Sequence, residues 1–142
     1  MRFMRTWALI VGGLTYSVGA HAAEGDHLRC SVDDFLATKA GAVNYDRSFV
    51  EQNKQKSFDI YEFVDKFTVV SKSSSFSDSS TDYRILERSL LQTSAIAIGS
   101  DIDAIAIYNT NEERSQNLIH ASVITLSPQY SNIWYLLCIL GN

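Results

Sequence analysis

The sequence predicts a mainly β protein: one antiparallel sheet curled into a small barrel or sandwich, with one or two short helices near the N-terminus. An α+β arrangement is the alternative. Three observations carry this expectation. Six or seven segments rich in β-branched and aromatic residues recur at a spacing of about ten residues. Short stretches containing Ser, Gly, Asn or Pro separate them. No stretch sustains the helical period long enough for a long helix. With 142 residues the chain is one domain's worth. Its 46% apolar and 20% charged residues, one proline and seven glycines exclude a disordered, collagen-like or low-complexity chain.

The first element is a leader. Met1 to Arg5 is short and cationic, Trp7 to Ala20 is mostly apolar, and Ala20-His21-Ala22 offers small residues where a signal peptidase cuts. Glu24 and Asp26 follow at once. This is the layout of a secretory signal peptide, so residues 1–22 are expected to be removed and 23–142 to form the β-rich domain. The apolar stretch is shorter than the ~20 residues a spanning helix needs. An uncleaved anchor or a buried helix is the alternative. No lipid-attachment cysteine follows, and no later segment is apolar enough to insert in a membrane. The expected location is therefore periplasmic or secreted.

Next come the helices. Ser31-Val32-Asp33-Asp34 has the form of a capping box, and Phe35, Leu36, Ala37 and Ala40 follow before Gly41. A short helix is the first reading there; a strand through Cys30 and Val32 competes with it. A second short helix is expected from Asp46, as its cap, to about Asn53, with Tyr45, Phe49 and Val50 as its apolar edge.

The strands begin at Phe58 to Val64 and Phe67 to Ser71. Residues 71–80 hold seven serines and read as a polar hairpin loop, or as hydroxyls that would receive a carbohydrate or an extended peptide. Tyr83, Ile85, Glu87 and Ser89 alternate with Arg84, Leu86, Arg88 and Leu90. Ala95 to Ile98 and Ile102 to Tyr108 flank Gly99-Ser100-Asp101. That joint is read as a type II′ hairpin with Gly99 at positive φ, or as a bulge in one long strand. After the polar stretch 109–117, Leu118 to Leu126 forms a strand with Leu118, His120, Ser122, Ile124 and Leu126 on one face. Pro128 marks a turn. Ile133 to Leu140 is apolar throughout and is expected in the sheet centre, covered on both faces.

Cys30 and Cys138 are the two cysteines of the mature chain, and an exported protein with an even count invites a disulfide between them. Buried free thiols, a metal site or a catalytic thiol are the rivals. No metal-ligand spacing surrounds either cysteine, and no metal or cofactor is expected.

The chemistry-bearing candidates are few. Asp101 and Asp103, one residue apart on a strand, share a face and would bind a cation or serve as acid and base; a charged strand end is the plainer reading. Asp78 and Asp82 do not match a calcium loop. His120 is the one weak catalytic candidate, as the base of a small hydrolase, though no G-x-S-x-G elbow accompanies it and a packed or edge histidine is the plainer reading. His27 lies near a start expected to be loose. Tyr130 and Trp134 flank the last turn and are the aromatic binding candidates, Tyr130 as an exposed residue.

The formal net charge of −4 becomes −6 without Arg2 and Arg5. Such a surface repels phosphate backbones and argues against a nucleic-acid partner. It leaves a cationic protein as the partner class such a charge would attract, with solubility alone as the plainer reading. The composite expectation is an exported small β-domain binding protein without catalytic activity, with occlusion or inhibition of a basic protein as one role open to it. Its contact surface would be the loops at 71–82, 109–117 and 127–132. A periplasmic hydrolase using His120, and a structural envelope component assembling through a sheet edge, are the alternatives. The oligomeric state is not legible.

Overall fold

The computed structural model describes residues 26–41, 45–99, 101–108 and 117–141. The expected leader, Ser100 and nearly all of the 109–117 loop lie outside the described residues. In chain order the elements are β1 (His27–Lys39), α1 (Arg47–Lys54), β2 (Ser57–Glu62), β3 (Lys66–Lys72), β4 (Ser79–Arg88), β5 (Gln92–Ile98), β6 (Ile102–Tyr108), β7 (Ile119–Leu126) and β8 (Tyr130–Leu140). Each strand pairs antiparallel with the next, and β8 pairs back with β1, closing an eight-stranded barrel. Closure is uneven: Leu28 to Ser31 of β1 pair with both neighbours, whereas Asp34 to Lys39 pair with β8 alone, and Ser79 to Asp82 of β4 pair with β3 alone.

Period-two alternation places one residue set inside. Leu28, Cys30, Phe35, Phe58, Ile60, Phe67, Val69, Tyr83, Ala95, Ile105, Ile107, Ala121, Val123, Trp134, Leu136 and Cys138 form one buried cluster along the axis. Cys30 and Cys138 are directly opposite in the β1–β8 ladder and form a disulfide across 108 residues of sequence. It staples the seam where the first strand meets the last, as the paired-cysteine reading expects.

The first expected helix, over residues 31–40, is instead the second half of β1. A bulge between Val32 and Asp34 explains the discrepancy. Leu28, Cys30 and Val32 face the β8 side chains of the core; one extra residue then resets the phase, so Phe35 and Ala37 face inward. The three-residue step from Val32 to Phe35 imitates helical spacing. A second irregularity, between Ile85 and Glu87 in β4, brings Arg88 rather than Glu87 into line with buried Thr93.

The second expected helix is present as α1. Asp46 caps it, accepting from the Ser48 N–H at 3.1 Å and from the Ser48 hydroxyl at 2.7 Å. Phe49 packs on Phe35, and its ring also meets Phe76 of the β3–β4 loop. The β5–β6 connection is a hairpin, but Ile98 pairs with Ile102 across three residues and Gly99 does not take a left-handed φ. The expected two-residue II′ turn is therefore replaced by a longer one.

The last strand also departs from expectation. Trp134, Leu136 and Cys138 are buried inside, yet Tyr135 and Ile139 on the outer face are 40% and 47% exposed. A closed barrel covers only its inner face, so an apolar outer row is left at the surface. The same holds on β5 to β7, where Ile98, Ile102 and Leu126 are exposed and adjacent. The outward positions of β2 to β4 carry Asp59, Lys66, Lys72, Asp82 and Arg84 instead.

The two barrel ends differ. At one end the carboxylate of Glu62, 3% exposed, is paired with the Arg88 guanidinium, which also donates to the Phe63 carbonyl at 2.8 Å and lies over the Phe67 ring. This floor is filled. The other end is bordered by α1, the 73–78 loop, the β5–β6 turn and residues 127–129, and it is where the polar interior lies.

Candidate functional site

A cavity of about 170 Å³ opens into the barrel at this second end. Its apolar floor comes from Phe58, Val69, Val123 and Trp134; Ser71, Ser79, Thr81, Thr125, Tyr83, Asp103 and Lys56 supply the polar groups. The hydroxyls lie there because β3 and β4 continue their inward alternation past the apolar core, from Val69 to Ser71 and from Tyr83 through Thr81 to Ser79. The serine-rich stretch is thus partly strand, with a loop over 73–78. In that loop the Ser73 hydroxyl accepts from the backbone of Ser75 and Phe76, and Asp78 accepts from the Ser73 N–H.

The four binding candidates named from sequence come together at this mouth. The Asp103 carboxylate and the Trp134 ring line the cavity. The Tyr130 hydroxyl donates to Asp101 at 2.9 Å, tying the start of β8 to the β5–β6 turn. Tyr130 is half-buried as the first residue of β8, rather than exposed in a turn. Asp101 holds the phenol proton, which raises the Tyr130 hydroxyl above its ordinary value. Asp103 accepts from the Thr125 hydroxyl at 2.6 Å. Burial, with the nearby Asp103 charge second, pushes the Tyr83 hydroxyl well above the usual phenol range, so it stays a neutral hydrogen-bonding group.

Lys56 was not singled out from sequence, because nothing in its neighbourhood marks it. It follows α1 and leads into β2, and its ammonium lies 4.7 Å from the Phe76 ring centre and 4.9 Å from that of Trp134. Both are cation–π distances. Burial pushes its ammonium below the ordinary lysine value. The Trp134 side chain is 7% exposed and its Nε1 has no acceptor; Asn132 Oδ1, one inward position nearer the rim on β8, is likewise buried without a donor.

His120 is elsewhere. It is exposed on the outer face of β7 opposite Leu137, towards the floor end, and does not line the mouth cavity. Among the described residues no cluster of three His, Cys, Asp or Glu side chains is placed to hold a metal ion, the Asp78–Asp82 region included. Asp82 is instead engaged by the Lys66 ammonium at 2.7 Å and the Thr68 hydroxyl at 2.6 Å.

His27 is not loose. It opens β1, contacts the Asp59 carboxylate at 2.8 Å through Nε2 and stacks on the Tyr61 ring with centroids 4.5 Å apart. With Lys72 on the other Asp59 oxygen at 2.8 Å, these groups line an outer groove of about 490 Å³. His27, Asp59 and Lys72 are matched to one another, while exposed Arg29 on the same groove is not. At the mouth, Lys56 and Asp103 have no ion-pair partner among the described residues, and both are partly buried where Arg29 is exposed, which makes the mouth the better site.

No helix among the described residues is long and apolar enough to cross a membrane. Comparison with family models, with curated proteins and with solved structures finds no match to this chain.

Proposed function

We propose that the protein is an exported, non-catalytic binding protein that holds its ligand in the open mouth of the barrel. Export is supported by the leader pattern together with the Cys30–Cys138 disulfide, since such bonds persist in oxidising compartments. The observation that carries the binding reading is the cavity: polar side chains and two charges without ion-pair partners converge on one end of the barrel, whereas the other end holds the buried Glu62–Arg88 pair. Closed antiparallel barrels commonly bind small ligands at such mouths. The placement of His120 outside the cavity favours binding over hydrolysis.

A melting-temperature screen tests this. Sugars, polyols, amino acids, organic acids and nucleosides are offered to the wild-type protein and to Ser79→Trp, whose side chain would fill the mouth. A ligand at 100 times its Kd adds about 2.7 kcal/mol, a rise of roughly 10 °C for a domain of this size. The expected result is a shift in the wild type that Ser79→Trp loses. A shift that persists in the blocked variant, or none from any class, overturns the reading. Salt-sensitive capture of a basic protein, unaffected by Ser79→Trp, would support protein occlusion in its place.

A further inference from the structure

We propose that the mouth selects a compact carboxylic acid that also bears an amino or hydroxyl group, its carboxylate meeting Lys56 and Trp134 and its donor group meeting Asp103. This assignment rests on the mouth being the binding site.

Lys54, Lys66 and Lys72 each have a carboxylate within 3.1 Å. Lys56 is more buried, yet it has no carboxylate partner among the described residues and is held only by the faces of Phe76 and Trp134. A partly desolvated ammonium of this kind favours an anion. Trp134 provides an independent sign. Its indole N–H is a buried donor without an acceptor, in a side chain that lines the same cavity. Donors without acceptors are rare inside proteins, and a ligand oxygen would satisfy this one.

Asp103 sets the other requirement. One oxygen takes the Thr125 hydroxyl, and the carboxylate has no ion-pair partner among the described residues, with Lys56 elsewhere on the same cavity lining. A ligand with a second negative charge would meet repulsion there, whereas an ammonium or hydroxyl would donate to it. A neutral polyol would leave both Lys56 and Asp103 unmatched. A simple cation would answer Asp103 alone.

Size narrows the class further. About 170 Å³ corresponds to the volume of roughly six water molecules at about 30 Å³ each. The apolar floor of Phe58, Val69 and Val123 suits a short aliphatic chain. Valine, threonine and 2-hydroxybutyrate combine these features.

Titration calorimetry on the full, disulfide-bonded protein uses these three acids as probes, with valine methyl ester as the uncharged-end control and erythritol as the neutral control. The acids are expected to bind at least ten-fold more tightly than the ester. Lys56→Gln should lose ten-fold or more for every acid. Trp134→Phe keeps the ring and removes the N–H, and should weaken all three several-fold. Asp103→Asn should weaken valine more than 2-hydroxybutyrate. Acid binding should also fall away at a pH below 10.5, the ordinary lysine value, as Lys56 loses its proton.

Equal affinity for valine and its ester, no binding of any of the three acids, or an unchanged Lys56→Gln overturns the assignment. The ester comparison needs no variant and stands even if a substitution unfolds the barrel. Erythritol binding with the acids ignored overturns the ligand class and leaves the mouth as the site. Failure of the whole solute screen removes the site itself.

Discussion

Replacing Arg88 by Ala would strip the floor of the barrel of its plug. The guanidinium pairs with Glu62, donates to the Phe63 carbonyl at 2.8 Å and to the Val64 carbonyl at 3.3 Å, and covers the Phe67 ring. Glu62 is 3% exposed, so the substitution takes a cation away from beside a buried carboxylate. Removing one partner of a buried ion pair typically costs ~3–5 kcal/mol. The Arg88 side chain is 38% exposed, so solvent already weakens the pair and the lower end of that range applies. A loss of about 3 kcal/mol with a urea slope of ~1.5 kcal/mol per molar moves the midpoint down by about 2 M. Urea titration followed by far-ultraviolet circular dichroism reads that shift directly. The double variant Arg88→Leu, Glu62→Leu should recover much of it, because a hydrophobic pair of similar volume carries no buried charge. A midpoint within ~0.5 M of wild type for Arg88→Ala would refute the account of the floor.

Other expectations follow from the same geometry. The Cys30→Ala, Cys138→Ala double variant should lose ~2–5 kcal/mol, a range that includes the ~4.7 kcal/mol loop entropy assigns to a loop of about 100 residues; thermal unfolding with and without reductant checks it, the variant being insensitive to reductant. An alanine Cβ at Gly141 would come within 2.7 Å of His27 Nδ1, so Gly141→Ala should displace the imidazole from Tyr61 and cost about 1 kcal/mol, seen in the histidine ring resonances and the melting point. The Lys72 ammonium, with His27 contributing less, holds the Asp59 carboxyl below its ordinary 3.8. That contribution to stability is present above pH 3.8 and is lost as pH falls through the lowered folded value. Lys72→Met removes the leading cause, so acid unfolding should begin at a higher pH, as an acid titration of the circular dichroism signal would show.

The strands whose ladders run without interruption were legible in the residue pattern. In Phe58 to Glu62, Ile102 to Tyr108 and Ile119 to Leu126 no bulge interrupts the ladder, so period two assigns each residue to its face, although Glu62 and Asp103 face inward and Ile102 and Leu126 outward. Bulges defeat that reading. In β1 the extra residue near Asp33 makes a strand look helical, and in β4 it exchanges the sides of Glu87 and Arg88. The Glu62–Arg88 pair was illegible for a related reason: its members are 26 residues apart and meet only once the bulge turns Arg88 to the floor. Sequence pointed to Asp101, Asp103, Tyr130 and Trp134 by residue type and turn chemistry. Their common end of the barrel follows from the antiparallel order, which places the β5–β6 and β7–β8 connections side by side. Lys56 had no such marker, since its role depends on two rings, Phe76 and Trp134, that only tertiary packing brings to it. The apolar outer row of β8 misled for the opposite reason, because hydrophobicity on both faces does not distinguish a sheet centre from a barrel wall.

Leu28 and Leu140 sit opposite one another in the ladder, beside the packed end of the cylinder. The first strand therefore begins, and the last one ends, at neighbouring points away from the rim. A surface that captures the barrel by these two strand ends would hold it like a cup by its base, with the mouth on the far side. Immobilisation through either strand end should preserve access to the rim equally, whereas a graft into the 73–78 loop would sit across it.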